Sequence, residues 1–261
     1  MAGIDINVFD LLSDIWAQVL VAMLTAFVTA VLIVLCQRPL RSIMRERDDA
    51  QAVQASHVGE PLRLGGLAIF AGFMAGIVSG IWNDTAMPVL LIASAGPAVL
   101  AGLWEDLGYG VSARRRLAAA FVSAALAALL LGTWASRANL PVLDQVMAVA
   151  PLGLLLTLIV SAGFCHATNL VDGMNGLAAL VVTSASAALA VLAQGAGQED
   201  LALLAAILGA AMAGFFLLNW PFGKIFMGDA GSYGVGHVLI WIAILLCDRV
   251  TGIAVPALLL I

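Results

Sequence analysis

The chain alternates long apolar runs with short polar breaks, and no other feature limits its possible folds as much. Apolar runs lie near 15–36, 64–82, 86–104, 117–135, 146–166, 176–194, 201–218 and 233–247, with a further run from Val250 to Ile261. A helix crosses the hydrocarbon of a bilayer in about 20 residues and satisfies its own backbone there, so such runs point to transmembrane helices rather than barrel strands. Composition agrees: 63% of residues are hydrophobic, 10% are charged and the mean hydropathy is +1.08, which excludes an ordinary soluble domain. The expected fold is an all-α, polytopic transmembrane bundle of about eight full spans and a partial ninth. It forms a single membrane domain over residues 1–261, with no internal repeat.

Where the charges fall says more than their sum. The loops at 37–63, 105–116, 167–175 and 219–232 share one side of such a bundle and hold Arg38, Arg41, Arg45, Arg47, Arg63, Arg114, Arg115, Arg116 and Lys224, whereas Arg137 and Arg249 fall opposite. Cytoplasmic loops are enriched in Lys and Arg, which places these four loops inside and the N-terminus, with Asp5, Asp10 and Asp14, outside. The first run lacks the preceding basic residue of a cleaved signal and is expected to remain as a span. Cys36, Cys165 and Cys247 lack C-x-x-C spacing and read as packed small residues. His57, His166 and His237 are scattered with no Cys beside them, so no zinc site is expected.

Nearly all the polar chemistry sits in four stretches at the ends of the runs: Trp104-Glu105-Asp106, Arg114 to Arg116, NLVDGMNG (169–176) and KIFMGDAGS (224–232). Carboxylates and cations gathered at one membrane face suit a Mg²⁺-dependent reaction on phosphates. An adjacent carboxylate pair is costly near hydrocarbon and points to function. For the arginines alone, snorkelling to lipid headgroups is the favoured expectation. Asn169, Asp172 and Asn175 are three residues apart and share a face if the segment is helical; Asp172 or Asn175 also suits the N-cap of a span beginning near Gly176. Asp229, between Gly228 and Ala230, suits a metal ligand that meets a diphosphate without obstruction. Mg²⁺ prefers one or two carboxylates with phosphate oxygens and water, so Asp229 with Asp106 is a sufficient set.

These stretches resemble the polyprenyl-phosphate N-acetylhexosamine-1-phosphate transferases, the WecA-, MraY- and TagO-like enzymes. PLRLGGLAIF (61–70) is similar to the family's P-x-R-x-G-G segment, GLWEDLGYGVSARRR (102–116) to its acidic-pair loop, NLVDGMNGLA (169–178) to its N-x-x-D-G-x-x-G-L motif and FMGDAGS (226–232) to its M-G-D-[AT]-G-S motif. The resemblance implies transfer of a sugar-1-phosphate from a UDP-sugar to polyprenyl phosphate at the cytoplasmic face of a bacterial inner membrane, with release of UMP. The implied cofactor is Mg²⁺, with Mn²⁺ as alternative, and the implied partners are the lipid phosphate, a UDP-N-acetylhexosamine-type donor and a second copy of the chain, not nucleic acid.

By position, Asp229 and Asp106 would hold the metal, and Glu105, Asp106 and Asp172 would be catalytic. Asn169, Gly173 and Asn175 would line the nucleotide pocket, Phe226 would approach the uracil, Asn219 would be a flanking pocket residue, and Arg63 and Lys224 would stabilise phosphate charge. Ala230 and Asn175 favour the WecA-like branch and hence initiation of a surface glycan such as O-antigen or capsule. Glu105 stands where the family has Asp, a change of about 1.5 Å in carboxylate reach at a site where such displacements are expensive. The family continues beyond the position of Ile261 with further spans and an H-x-H loop, so the 261 residues alone are expected to turn over weakly. Two rival classes stand beside this: an inactive homologue that binds or supports at the membrane, and a transporter, which would carry ionisable groups near the midplane.

Overall fold

Each of the eight apolar runs becomes a helix in the structure, a computed structural model that describes residues 8–44, 62–80, 86–138 and 140–251. These are α1 (Val8–Leu35), α3 (Gly65–Ser79), α4 (Met87–Asp106), α5 (Ala113–Leu131), α7 (Ala150–Val171), α8 (Leu177–Gly195), α9 (Glu199–Asn219) and α10 (Gly228–Arg249). Two short helices, α2 (Gln37–Ile43) and α6 (Pro141–Met147), were not expected from the sequence. Among the described residues, six helices are long and apolar enough to cross a membrane by length and composition. Of the other two, α3 has only 15 residues and α5 opens on three arginines, so the expected count of eight full spans is not reached on those criteria. The partial ninth run falls largely on residues 252–261, and Arg45, Arg47 and residues 81–85 also lie outside the described residues.

Local sequence explains where the helices begin. Prolines whose missing N–H costs nothing in a first turn stand at the start of α4, α6 and α7. Ser112 caps α5 by accepting from the Arg115 N–H, and α5 stops at Gly132, whose φ of 67° suits glycine.

Packing is set by small residues, as expected where lipid removes any hydrophobic drive between helices. On α1, Trp16, Leu20, Leu24, Val28 and Leu32 form an exposed stripe at four-residue spacing, while Ala22, Ala26 and Ala30 are fully buried. A Cβ at Gly72 of α3 would come within 2.5 Å of the Ala22 carbonyl oxygen. α10 lies at the centre, buried along its whole length from Gly228 to Cys247 and packed by α3, α4, α7 and α9. Three contacts fix its first turns. Gly66 of α3 lies against Gly231, Gly102 of α4 against Ala230, and Gly236 against Cys165 and Thr168 of α7. Deeper along α10, His237 Nε2 pairs with Ser94 at 2.8 Å, leaving its buried Nδ1 without a partner, and Trp241 donates to Ser161 at 2.9 Å.

Candidate active site

The four polar stretches meet at one end of the bundle, around the first turn of α10. The last of them is joined through backbone to the 61–70 segment. The N–H groups of Gly65 and Gly66, unpaired donors at the start of α3, donate to the carbonyls of Phe226 and Met227 at 2.8 Å each, and the Phe226 N–H returns a bond to Leu62 at 2.8 Å. Leu62 and Ile225 form an isolated parallel bridge. Gly228 then enters α10 with φ of 78°, and its Cα abuts the Arg63 carbonyl so closely that a side chain there would collide with backbone. Arg137 and Arg249 lie at the other end, where Arg137 donates to the Cys247 carbonyl and Arg249 pairs with Asp200 at 2.7 Å.

The start of α10 is capped by carboxylates from other helices. Asp106, at the end of α4 and 1% exposed, accepts from the Asp229 N–H through Oδ1 at 2.9 Å and from the Ala230 N–H through Oδ2 at 2.8 Å. Asp172, just past α7, accepts from the Gly228 N–H through Oδ2 at 3.2 Å. Three successive donors with positive dipole character thereby meet two carboxyl groups. Desolvation by the surrounding protein, with Asp106 and Asp229 nearby, pushes the Asp172 carboxyl up to about 8, against the pull of the Gly228 N–H and Arg63.

The cap turns the Asp229 side chain toward α5 and α7. Its Oδ2 forms an ion pair with Arg116, and its Oδ1 accepts from Asn169 Nδ2 at 3.0 Å. Asn169 Nδ2 also reaches Ser232 Oγ at 2.8 Å. Asp106, Asp172 and Asp229 thus converge, together with Asn169, Arg63 and Arg116.

Several expected residues take up particular places. Glu105 lies beside Asp106, but its Oε2 accepts from the Val111 N–H and closes the α4–α5 loop. Asn219 is buried, with Oδ1 accepting from the Gly176 N–H at 2.6 Å and Nδ2 donating to the Ile225 carbonyl at 2.9 Å, so it ties two motif loops together. Asn175 lies against Gly223 with Oδ1 buried and unpartnered, while Gly173 is open enough to admit a Cβ. Phe226 is buried, and Lys224 is exposed with Nζ 5.5 Å from the Phe222 ring centre.

Three expectations are corrected. α7 ends at Val171, so Asn169, Asp172 and Asn175 do not share one helical face. Gly176 with φ of 80° opens α8, and neither Asp172 nor Asn175 caps it. Of the three arginines expected to snorkel, Arg114 and Arg115 are exposed but Arg116 turns inward to Asp229. His166 was overlooked: it stands three residues before Asn169 on α7, its ring 4.9 Å from that of Tyr233 and its Nε2 buried without a partner. The helical three-residue spacing to Asn169 was the available signal.

Among the described residues, no group of three or more His, Cys, Asp or Glu side chains is arranged to hold a metal by itself. Mg²⁺ does not require one, since it binds through one or two carboxylates and takes its other oxygens from phosphate and water. The donor set fits it: Asp229 already holds a cationic group, and Asp106, Asp172 and Asp229 converge on one helix start.

Fold and site together define a polytopic helical membrane protein with a cluster of acids and arginines at one end of the bundle. A family profile described as glycosyl transferase family 4 matches residues 87–247, and the chain belongs to that family. A Bacillus subtilis protein named as a probable undecaprenyl-phosphate N-acetylglucosaminyl 1-phosphate transferase is 32% identical over 67% of this chain and 48% of its own length. A phospho-N-acetylmuramoyl-pentapeptide-transferase of Ruegeria pomeroyi is 30% identical over 84% of this chain and 71% of its own. A decaprenyl-phosphate N-acetylglucosaminephosphotransferase of Mycobacterium leprae is 30% identical over 84% of this chain and 57% of its own. The chain therefore spans about half the length of the Bacillus and Mycobacterium relatives.

Proposed function

We propose that the chain carries the site of a Mg²⁺-dependent phosphoglycosyltransferase. It transfers N-acetylhexosamine-1-phosphate from a UDP-sugar to polyprenyl phosphate at the cytoplasmic face of a bacterial inner membrane. The product is a polyprenyl-diphosphate-linked sugar with release of UMP, which begins a surface glycan. The observation that carries this is the convergence of Asp106, Asp172 and Asp229 with Arg116 and Asn169 at the bundle end where the four motifs meet. The names of the relatives agree on a polyprenyl-phosphate or pentapeptide-bearing sugar-phosphate transfer. The WecA-like branch is supported by Ala230 and Asn175, and the orientation by the Arg and Lys distribution.

In the reaction, an oxygen of the lipid phosphate attacks the phosphorus that bears the sugar, and the bond from that phosphorus to the UMP oxygen breaks. Two anionic groups must approach, so the barrier is largely electrostatic and falls when fixed positive charge is already in place. Asp229 and Asp172, in place of the expected Asp229 and Asp106, would hold Mg²⁺, since both Asp106 oxygens accept backbone N–H groups; when bound it neutralises diphosphate charge and stabilises the departing UMP. Asp106 keeps the start of α10 in place, so that the Asp229 carboxylate is presented without searching. Arg116 and Arg63 supply guanidinium donors matched to phosphate oxygens, and Lys224 adds a mobile charge near the mouth. Asn169 orients Asp229, Gly173 leaves room for the nucleotide, and Asn175, with an unpartnered Oδ1, would line its pocket. A lipid phosphate is largely ionised near neutral pH, so attack needs no strong base. Glu105 then acts by closing the loop that leads into α5 and Arg116.

The test is transfer of label from UDP-[¹⁴C]N-acetylglucosamine into a solvent-extractable lipid in the presence of undecaprenyl phosphate and Mg²⁺. It should be run on the chain alone and on the chain joined to the downstream spans of a relative. Labelled lipid in the fused form, lost in Asp229→Asn, is expected. Absence of labelled lipid from both forms in well-folded protein would overturn the proposal, and ion or solute flux in its place would favour a transporter.

A further inference from the structure

We infer that Arg116 is a resident counter-cation for Asp229, which opposes divalent metal at that carboxylate and passes to a phosphate of the donor once metal has displaced it. The inference deepens the function proposed above and rests on it. Most acceptors in the cluster already have partners: both oxygens of Asp106 hold backbone N–H groups, Asp172 Oδ2 holds the Gly228 N–H, and Asp229 Oδ1 holds Asn169. Asp229 Oδ2 is held by Arg116, so a cation that approaches this oxygen meets a guanidinium already there.

Two features show that Arg116 is placed to leave. It reaches Asp229 through one terminal nitrogen, and its Nε is buried with no partner. Burying a guanidinium N–H without an acceptor costs free energy, so the group is left short of an acceptor that a phosphate oxygen would supply in the paired geometry guanidinium prefers. The residue also stands in the first turn of α5, which packs mainly on α4 and α7 and only lightly on α10, and it reaches Asp229 through its long side chain. Release therefore needs a rotamer change and no helix movement. Arg114 and Arg115 are exposed and make no such contact with Asp229.

An ion pair closed about nine-tenths of the time lowers the fraction of protein ready for metal to about one-tenth, and apparent metal affinity falls about tenfold. The experiment uses purified protein in detergent with Mn²⁺ as the probe, free Mn²⁺ being read by its electron paramagnetic resonance signal. Arg116→Gln should bind Mn²⁺ about tenfold more tightly than wild type, Arg116→Lys should stay near wild type because the charge remains, and Asp229→Asn should lose the site. With Mn²⁺ saturating, UDP should bind at least tenfold more weakly to Arg116→Gln, because the handed-over donor is gone. Unchanged or weaker Mn²⁺ binding in Arg116→Gln, with Asp229→Asn still abolishing it, overturns the counter-cation role and leaves the transferase proposal standing. Undiminished Mn²⁺ binding in Asp229→Asn overturns both, and unchanged UDP affinity in Arg116→Gln overturns the transfer to phosphate.

Discussion

Replacing Asp106 should unfold the protein before it spoils the chemistry, because the structure gives this carboxylate to backbone. Its two oxygens accept from the Asp229 and Ala230 N–H groups at 2.9 and 2.8 Å, and the residue is 1% exposed, so no water stands ready to replace it. Asp106→Ala leaves two buried donors unpaired at about 1–3 kcal/mol each, a total of about 2–6 kcal/mol. Asp106→Asn is not conservative here. Its oxygen keeps one bond, but its NH₂ faces the second N–H, donor against donor, and the helix start loses a compensating charge worth about 0.3–1 kcal/mol or more. At roughly 2–4 °C per kcal/mol for a chain of this size, the unfolding midpoint of Asp106→Ala in detergent should fall by about 10 °C, with Asp106→Asn falling at least half as far. Mn²⁺ affinity, measured beside it, should weaken in step as Asp229 loses its fixed position. An Asp106→Asn protein that melts with wild type yet no longer binds Mn²⁺ would refute the cap and make Asp106 a direct metal ligand.

Gly66→Ala places a Cβ 2.5 Å from the Gly231 backbone nitrogen and should push α3 from α10, at about 1–3 kcal/mol in thermal unfolding. A shift of about 1 Å at Asp229 would lower label transfer about 10²-fold, whereas Gly96→Ala, whose Cβ would meet nothing within 4 Å, should be silent in both assays. Asp172 should make metal-free protein less stable as pH rises from about 4 to about 8: the folded carboxyl keeps its proton up to about 8 while the unfolded one releases it near the ordinary 3.8, so over that window the unfolded state binds fewer protons. Unfolding midpoints in chelator at pH 5 and pH 8 should show that fall, and Asp172→Asn should flatten it. For orientation, a cysteine at exposed Phe222 should react only with reagent from the cytoplasmic side, and one at Asn83, a position outside the described residues, only from outside; reversed labelling would invert the assignment.

The helices and their ends were legible because apolar length and polar punctuation are local properties. What the sequence hid was which apolar face meets protein and which meets lipid, since in hydrocarbon both faces can be equally apolar. α1 illustrates the partial signal: Ala22, Ala26 and Ala30 turn inward while Leu20, Leu24 and Val28 turn out, a division by size rather than polarity. On α10, Gly231, Gly234 and Gly236 are each met closely by a neighbouring helix, and nothing local showed that this helix would be buried throughout.

The site hid for a related reason. Capping is read from sequence by looking for a Ser, Thr, Asp or Asn just ahead of a helix, and Met227 stands there with no side-chain bond to give. The acceptors come instead from Asp106 and Asp172, which the chain can bring to Gly228, Asp229 and Ala230 only because small residues at positions 66, 102 and 236 let three helices close on α10. The choice of Arg116 over its two neighbours follows from the same packing, because successive helical residues point about 100° apart and one of three must face inward. The glycines and the acids therefore form one device. Close approach of backbones delivers the carboxylates to the helix start, and the capped helix start in turn fixes Asp229, whose side chain points away from the cap toward a cation.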